Sequence, residues 1–584
     1  MFLQHVKRNR TVQPNPMKNR IFLFTLLLIS LKYQAQVEVT NGPELPNEKI
    51  EKMNRLMEGE DGNFYAYRVR TKGKGTSYFV EKYDKNKMNQ IFSKEIIQEN
   101  DKSRIEDVMY SGSTVFIFRR DYVKENQHMT LSYQTVSSTG LVAAESKDIV
   151  TITSDHYQFI DFDIYQNPAR TKFLVKACYK ADKGDAWKTD LLLLDGKTMK
   201  QSWKKTVNER LIAVSKLSGL TNMWTYAPPP TGMSMTTRTN PEREDLGLVG
   251  MILDDNDNVY YGFSSDGKNS KEEERHYKLT LYSLEVSSNL PKALELVFPT
   301  DYFVRDLMIT KTDKELVVGG FVKDVLDRNW RGKEKLIQCG VFSFKVDPTT
   351  NMIKAKALKI FDDDLLEALG SKAKDRDLRY KMDYTFQIGS DIFFVGEEYK
   401  ETLVRTTSNY GTPGIGTPRM GTTSTSSHWE YEYRDVIVSK LNGKGEFEWI
   451  RNSPMENSMT LGSAHIFKEY IAFVSGSSIY VLCNENPKNM KMYDEPKFDN
   501  NNMHSMSGIH GSNFVGSTIS LKDAQFKHFL IFKNEDFCFA PVQEKDKNFM
   551  PPEGCENFVR GKNNEILIYT EDRGLGRLSR LIFK

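Results

Sequence analysis

Phe64-Tyr-Ala-Tyr-Arg-Val-Arg70, then Ser77-Tyr-Phe-Val-Glu-Lys-Tyr-Asp84, then Asn89-Gln-Ile-Phe-Ser93: three short runs, joined by a few polar residues, carry the pattern that decides the fold. Aromatic and branched residues alternate with polar ones at a period of two, which is the spacing of a strand. Such side chains pack well on a pleated surface, and 27 Tyr and 34 Phe bring the aromatic share of the chain to 11%. The stretch reads as a hairpin followed by a third, shorter strand.

The same unit recurs along the chain. Thr114-Val-Phe-Ile-Phe118 goes with Met129-Thr-Leu-Ser-Tyr133, Lys172-Phe-Leu-Val-Lys176 with Asp190 to Asp195, and Asn258 to Phe263 with Tyr277 to Tyr282. Glu315 to Val322 goes with Gly340 to Asp347, Asp391 to Gly396 with Asp435 to Asn442, Tyr470 to Val474 with Ile479 to Leu482, and Glu565 to Tyr569 with Arg577 to Phe583. A chain of 584 residues would ordinarily divide into about three or four domains, but repetition overrides that expectation. Multi-strand repeats of about 40 to 50 residues are the signature of a β-propeller, in which each sheet covers its neighbour's apolar face. The prediction is an all-β protein: one β-propeller domain over residues 37–584, with seven or eight blades and short helical and loop insertions.

The strongest internal similarity follows the second strand of each hairpin. Leu194-Asp-Gly-Lys-Thr-Met-Lys-Gln-Ser-Trp203 parallels Leu441-Asn-Gly-Lys-Gly-Glu-Phe-Glu-Trp449, one residue shorter, and Tyr83-Asp-Lys-Asn-Lys-Met88 and Val346 to Met352 hold the same place. Asp and Asn tolerate the left-handed backbone that a tight reversal needs. The chain ends in a strand at Lys584, while Val37-Glu-Val-Thr40 has no partner nearby in sequence. If that segment completes the last sheet, the ring closes without an exposed edge. Residues 226–245, rich in Pro, Thr and Met, and 405–428, rich in Gly, Thr and Ser, read as mobile insertions, since they bury little apolar surface against their ordering entropy. Asp362 to Leu369 and Asn208 to Leu217 read as short helices.

Ahead of Val37, Met17-Lys-Asn-Arg20 precedes an apolar run from Ile21 to Leu31 and then Lys-Tyr-Gln-Ala-Gln36. A basic start, a short apolar core and a small residue near its end make residues 1–36 a signal peptide, with Met17 the expected true start and cleavage near Ala35 or Gln36. The run is shorter than the roughly 20 residues of a spanning helix, so no transmembrane anchor is expected. Lys plus Arg number 81 against 78 Asp plus Glu, a net charge of +3. That is not a field that recruits nucleic acid. Five cysteines are too few for a disulfide framework in a chain of this size, and Cys538 with Cys555 is the expected bridge if one forms.

Motifs for chemistry are sparse. His504 and His510 sit six apart without a nearby third ligand. Asp254-Asp-Asn-Asp-Asn258 starts like a calcium loop but has Val259 where the loop needs Gly, and reads instead as an acidic turn. Gly411 to Gly416 lacks the Lys-Ser/Thr ending of a phosphate loop. Neither a metal nor a cofactor is expected. Asp161, Asp163, Glu397 and Glu398 lie at strand ends, where two carboxylates meeting in a propeller channel would serve glycoside hydrolysis.

On its Gln-Ala-Gln signal ending, its Phe393-Phe-Val-Gly-Glu-Glu-Tyr399 and Asp435-Val-Ile-Val-Ser-Lys440 strands and its Ser/Thr-rich insertion, the chain resembles the uncharacterised exported propeller-like proteins of Gram-negative bacteria. Its Asp/Asn-Gly-Lys turns followed by Trp203 and Trp449 are similar to the quinoprotein-type repeat, which implies a tryptophan docked between neighbouring sheets. Fold analogy does not give function. The expected function is a non-catalytic binding or scaffold protein of the cell envelope, periplasmic, on the outer surface or secreted, holding a protein or glycan partner through loops around Tyr226 and Tyr410. The alternatives are a glycan hydrolase or lyase with its site in the channel, and a docking component of a secretion or surface-motility machine.

Overall fold

The computed structural model describes residues 37–45, 51–72, 75–96, 103–123, 128–153, 160–180, 186–212, 247–266, 277–299, 302–304, 307–328, 334–362, 365, 379–410, 422–461, 470–494, 503–507, 511–533, 538–539, 557–561, 564–572 and 575–583. They form eight sheets, antiparallel except where Met506–Ser507 joins the sixth sheet parallel to Asn457–Leu461. Blades 1 to 8 span residues 51–96, 103–153, 161–207, 247–296, 302–360, 379–461, 470–532 and 538–583, the last completed by Val37–Leu45.

Each blade is built on a meander whose strands pair in sequence order; in blade 6, however, both Phe447–Ser453 and Asn457–Leu461 pair with Thr422–Leu441, and blade 8 takes its outermost strand from Val37–Leu45. The first strands converge on the axis, since those of neighbouring blades touch at seven of the eight interfaces. At the eighth, Arg560 on the first strand of blade 8 donates to the Val474 carbonyl of blade 7 at 2.7 Å. Eight apolar clusters fill the eight interfaces. Tyr67 and Val80 of blade 1 meet Ile117 and Val108 of blade 2, for instance, and Leu567 and Leu578 of blade 8 meet Phe64 and Leu56 of blade 1. No blade buries its faces alone, so the core is a ring rather than a centre.

The closure expected for the first segment is present. Val37–Leu45 runs antiparallel to Leu575–Phe583 with Val37 opposite Phe583, and becomes the outermost strand of blade 8. Val37 and Val39 pack into the cluster of Phe473, Tyr480 and Phe583, while Leu45 packs on the other side against blade 1.

Seven of the eight predicted hairpins are the second and third strands of a blade. The exception is Tyr470 to Leu482, which is the first and second strands of blade 7. Its third strand, Asn513–Ser520, follows an insertion that contains a 3-10 helix over Asn489–Asp494. The turns after the third strands also hold as read. The carboxylates of Asp84, Asp195 and Asp347 each accept two backbone N–H groups within the next three residues. The chain then reverses through a left-handed residue, Met88, Met199 or Asn351. The turn one residue shorter uses Gly445 at φ 87°.

Two expectations change. Much of 405–428 is strand rather than loop: Asp391–Tyr410 and Thr422–Leu441 pair continuously out to Tyr410 opposite Thr422. Thr and Ser favour an extended ribbon as readily as a loop, and composition does not separate the two. Residues 208–212 contain no helix. Most of Asp362–Leu369, the segment 213–246 and residues 1–36 lie outside the described residues, although the Asp362 carboxylate accepts the Leu365 N–H as a helix cap does. No helix among the described residues is long and apolar enough to cross a membrane.

Candidate functional site

The first strands carry a recurrent irregularity. Pairing with the second strand shifts by one residue between Met53 and Arg55, Ile105 and Asp107, Leu248 and Gly250, and Met382 and Tyr384. A bulge bends its strand and re-aims the side chains beside it. In blades 1 and 2 the re-aimed residues are an opposite pair, and Arg55 binds the buried carboxylate of Asp107. The Val108 N–H also donates to that carboxylate at 2.6 Å. Burial nevertheless lifts the Asp107 pKa to about 6, against the pull of Arg55, and the negative charge of Asp163 pushes the same way.

Asp163 and Asp161 share the first strand of blade 3, and both bind Lys176 on the second strand, whose side chain is fully buried. Burial opposes the charge of this lysine, but the two carboxylates outweigh it and hold its pKa above the ordinary value. Beside it, burial pushes the Cys178 thiol up to about 11, which makes it an inert core thiol. Across the ring, Asp383 at the blade 6 bulge lies 3.3 Å from Lys381 and accepts the Tyr470 hydroxyl at 2.9 Å. Burial, reinforced by Asp383, drives the Tyr470 pKa far up.

Near these groups a cavity of about 330 Å³ occupies the channel, lined by blades 1, 2, 3, 6, 7 and 8. It lies at the end of the ring that carries the turns between first and second strands. Arg170 in the blade 3 turn donates to the Glu58 carbonyl of blade 1 at 3.2 Å, and Arg560 adjoins the blade 8 turn. Its walls include Met57, Tyr110, Phe386, Ile471, Phe473 and Phe558, and Arg55, Arg170 and Arg560 are its only charged lining residues among those described.

Of the carboxylates considered from sequence, Asp161 and Asp163 are brought together, but around a lysine. Glu397 and Glu398 are buried on the second strand of blade 6, away from the cavity lining. Asp254 is a turn former, as read: its carboxylate accepts the Asn256 and Asn258 N–H groups, while Asp255 and Asp257 bind Asn167 and Lys172 of blade 3. His504 exchanges backbone hydrogen bonds with the Asn489 amide; His510, Cys555 and Tyr226 lie outside the described residues, and so does the proposed Cys538–Cys555 bridge. Cys178 and Cys483 are buried and Cys339 is half-buried, and none of the three is in a disulfide. No group of three metal-binding side chains occurs among the described residues. Trp203 and Trp449 hold equivalent places on the fourth strands of blades 3 and 6, and pack into the interfaces with blades 4 and 7.

One constellation escaped the sequence. Ser517 Oγ lies 3.0 Å from His528 Nδ1, and His528 Nε2 lies 3.4 Å from Glu485 Oε2. The three residue types of a nucleophilic triad are present, but the site is sealed. All three side chains are buried, and the Tyr493 ring stacks on the imidazole at 3.7 Å while donating its hydroxyl to Glu485. With no room for a substrate, the group is a polar clamp across blade 7. Ser517 faces His528 across two paired strands, a relation that becomes visible only once register is known.

No family model matches the sequence, and no curated protein matches it. Among solved structures the chain is similar to the β-propeller domain of the Trilobed protease from Pyrococcus furiosus, at 8% identity and a TM-score of 0.32, covering 82% of this chain and 98% of that one. It is similar to the WD40 domain of SCAP from fission yeast, at 8% identity and a TM-score of 0.36, covering 94% and 95%. It is also similar to Porphyromonas gingivalis dipeptidyl peptidase 4, at 11% identity and a TM-score of 0.33, covering 85% of this chain and 63% of that one. The eight sheets and eight filled interfaces, rather than these likenesses, make the chain an eight-bladed β-propeller.

Proposed function

We propose that the protein is an exported, non-catalytic binding or scaffold protein of the bacterial cell envelope, holding a protein or glycan partner on the propeller. One observation carries the non-catalytic part: the carboxylates nearest the axis are committed to ion pairs, Asp107 with Arg55, Asp161 and Asp163 with Lys176, and Asp383 with Lys381. Glycoside hydrolysis needs one carboxyl kept protonated and another kept free beside the scissile bond; Asp107, with its pKa near 6, meets only the first need, and among the described residues the cavity lining holds no carboxylate to meet the second. The place for the partner is the ribbon of blade 6. Beyond the pairing of Trp429 with Leu461, Val404–Tyr410 and Thr422–His428 continue as two strands for about 24 Å at ~3.4 Å per residue. Among the described residues no further strand pairs with either side of this ribbon, and such an edge offers backbone donors and acceptors to an incoming strand.

Binding and turnover on a panel of envelope glycans and peptides test the reading. Retention of a ligand without product release is expected, weakened when residues 404–428 are replaced by a short turn. Sustained product release abolished by Asp163→Asn overturns it in favour of a channel enzyme. Export is tested by fusing residues 1–36 to a phosphatase that is active only outside the cytoplasm; an inactive fusion removes the address.

A further inference from the structure

We propose that the channel cavity is a binding site for a small organic acid, a carboxylate carried on an apolar or ring-shaped body. The inference is independent of export and of the blade 6 ribbon, because it rests on the cavity alone. At about 330 Å³ the space lies at the lower end of the range of small-molecule sites, which begins near ~300 Å³. It therefore suits a terminal group rather than a length of polymer.

The mouth presents two exposed arginines, from blades separated in the ring by blades 1 and 2. Arg170 of blade 3 is fastened by one hydrogen bond to the Glu58 carbonyl, and Arg560 of blade 8 by one to the Val474 carbonyl. Each bond holds its planar fork in place and uses one of five N–H donors, so the remaining donors are preorganised for a carboxylate. Arg55 is paired with Asp107, so among the described residues the cavity lining holds an excess of positive charge and no carboxylate to cancel it. Phe386, Phe473 and Phe558 form walls that suit an apolar or ring-shaped body beside that charge.

The blade 3 turn adds a further mark. Arg170 sits at φ 56°, in the left-handed region, where the turns between first and second strands in blades 1, 6 and 7 use Gly62, Gly389 and Gly476. Blades 2, 4 and 8 place Ser113, Asp257 and Asn564 in the same region, so the turn does not call for arginine. What arginine supplies is a cation at the mouth.

Two sources carry this chemistry, the C-terminus of an apolar peptide and a uronate sugar, and paired probes separate them. Calorimetry on the full-length chain compares acetyl-Ala-Ala-Phe with its C-terminal amide, and a glucuronate disaccharide with its neutral glucose counterpart. In at least one pair the acid binds at least tenfold more tightly than the neutral form, and the pair that does so identifies the source. Arg170→Gly and Arg560→Gln each weaken that acid roughly tenfold, the loss of one charged hydrogen-bonding partner. Each variant loses one exposed hydrogen bond between blades, so its unfolding temperature falls only slightly and the folded protein remains intact for the binding measurement; glycine suits the backbone at 170. Equal binding of acid and neutral forms, binding of neither pair up to millimolar concentration, or unchanged affinity in both variants overturns the proposal.

Discussion

Asp107 is the residue whose chemistry departs furthest from its sequence context. As one acid in Ile105-Glu-Asp-Val108 it reads as a solvated charge, yet it is buried and its pKa stands near 6. Its folded pKa lies above the unfolded value, so between about pH 6 and 4 the folded state binds the extra proton. This group therefore adds stability as the medium is acidified through that window, and the gain is lost as pH rises through 6. The turn carboxylates act in the opposite sense. Backbone N–H groups hold the Asp84 pKa low, as the Thr198 hydroxyl and N–H do that of Asp195, so their contribution is lost as pH falls through their folded pKa values. Thermal unfolding of Asp107→Asn against the parent, from pH 7 to 4, is expected to show the acid-side gain only in the parent; parallel curves would exclude Asp107 as its source.

Glycines settle the contact between blades 5 and 6. A Cβ on Gly319 would stand 2.2 Å from the Phe394 ring, and one on Gly396 would stand 2.3 Å from the Phe321 ring. Each blade thus offers a phenylalanine to the hole left by the other's glycine, with the two residues of each strand two apart on one face. The pair Gly319-Gly320 is plain in the sequence, but nothing in it names Phe394 as the occupant. Gly319→Val is expected to destabilise the fold by roughly 1–3 kcal/mol, the cost of overpacking a filled core. Adding Phe394→Ala restores part of that loss, and denaturant unfolding of the single and double variants measures both.

Elements differ in how openly the sequence displays them, and burial is the reason. Second and third strands are covered on both faces by neighbouring blades, so runs such as Phe173-Leu-Val175 and Leu191 to Leu194 stand out as apolar. First strands are harder to read because a bulge breaks the period of two in blades 1, 2, 4 and 6, and because polar residues such as Arg55, Asp107 and Asp163 face the axis. The sealed group of blade 7 is also a property of its element. Since it clamps strands instead of reacting, Ser517→Ala is expected to lower the unfolding temperature and to leave the protein as unreactive toward a fluorophosphonate probe as the parent; labelling at Ser517 would refute the clamp.

At the scale of the molecule, the outermost strand of the last blade comes from the start of the described chain. Removing Val37 to Thr40 strips four paired positions from Arg580 to Phe583 and two valines from the interface of blades 7 and 8. Amide hydrogen exchange is expected to quicken first in Glu565–Asp572 and Leu575–Phe583, while blades 3 to 5 keep their protection. Uniform acceleration around the ring would mean that closure supports every blade equally.

The sequence by itself determined the strand-rich class, the repeat, the turn chemistry and a first segment left without a local partner, because each of these is written in local alternation or in residues a few positions apart. Blade number, the pairing of Arg55 with Asp107, the capture of Asp161 and Asp163 by Lys176, and the meeting of Arg170 with Arg560 at one mouth were decided only by tertiary structure. These contacts join residues from little more than ten to several hundred positions apart, and their partners are fixed by register and by closure of the ring. No period in the chain records either.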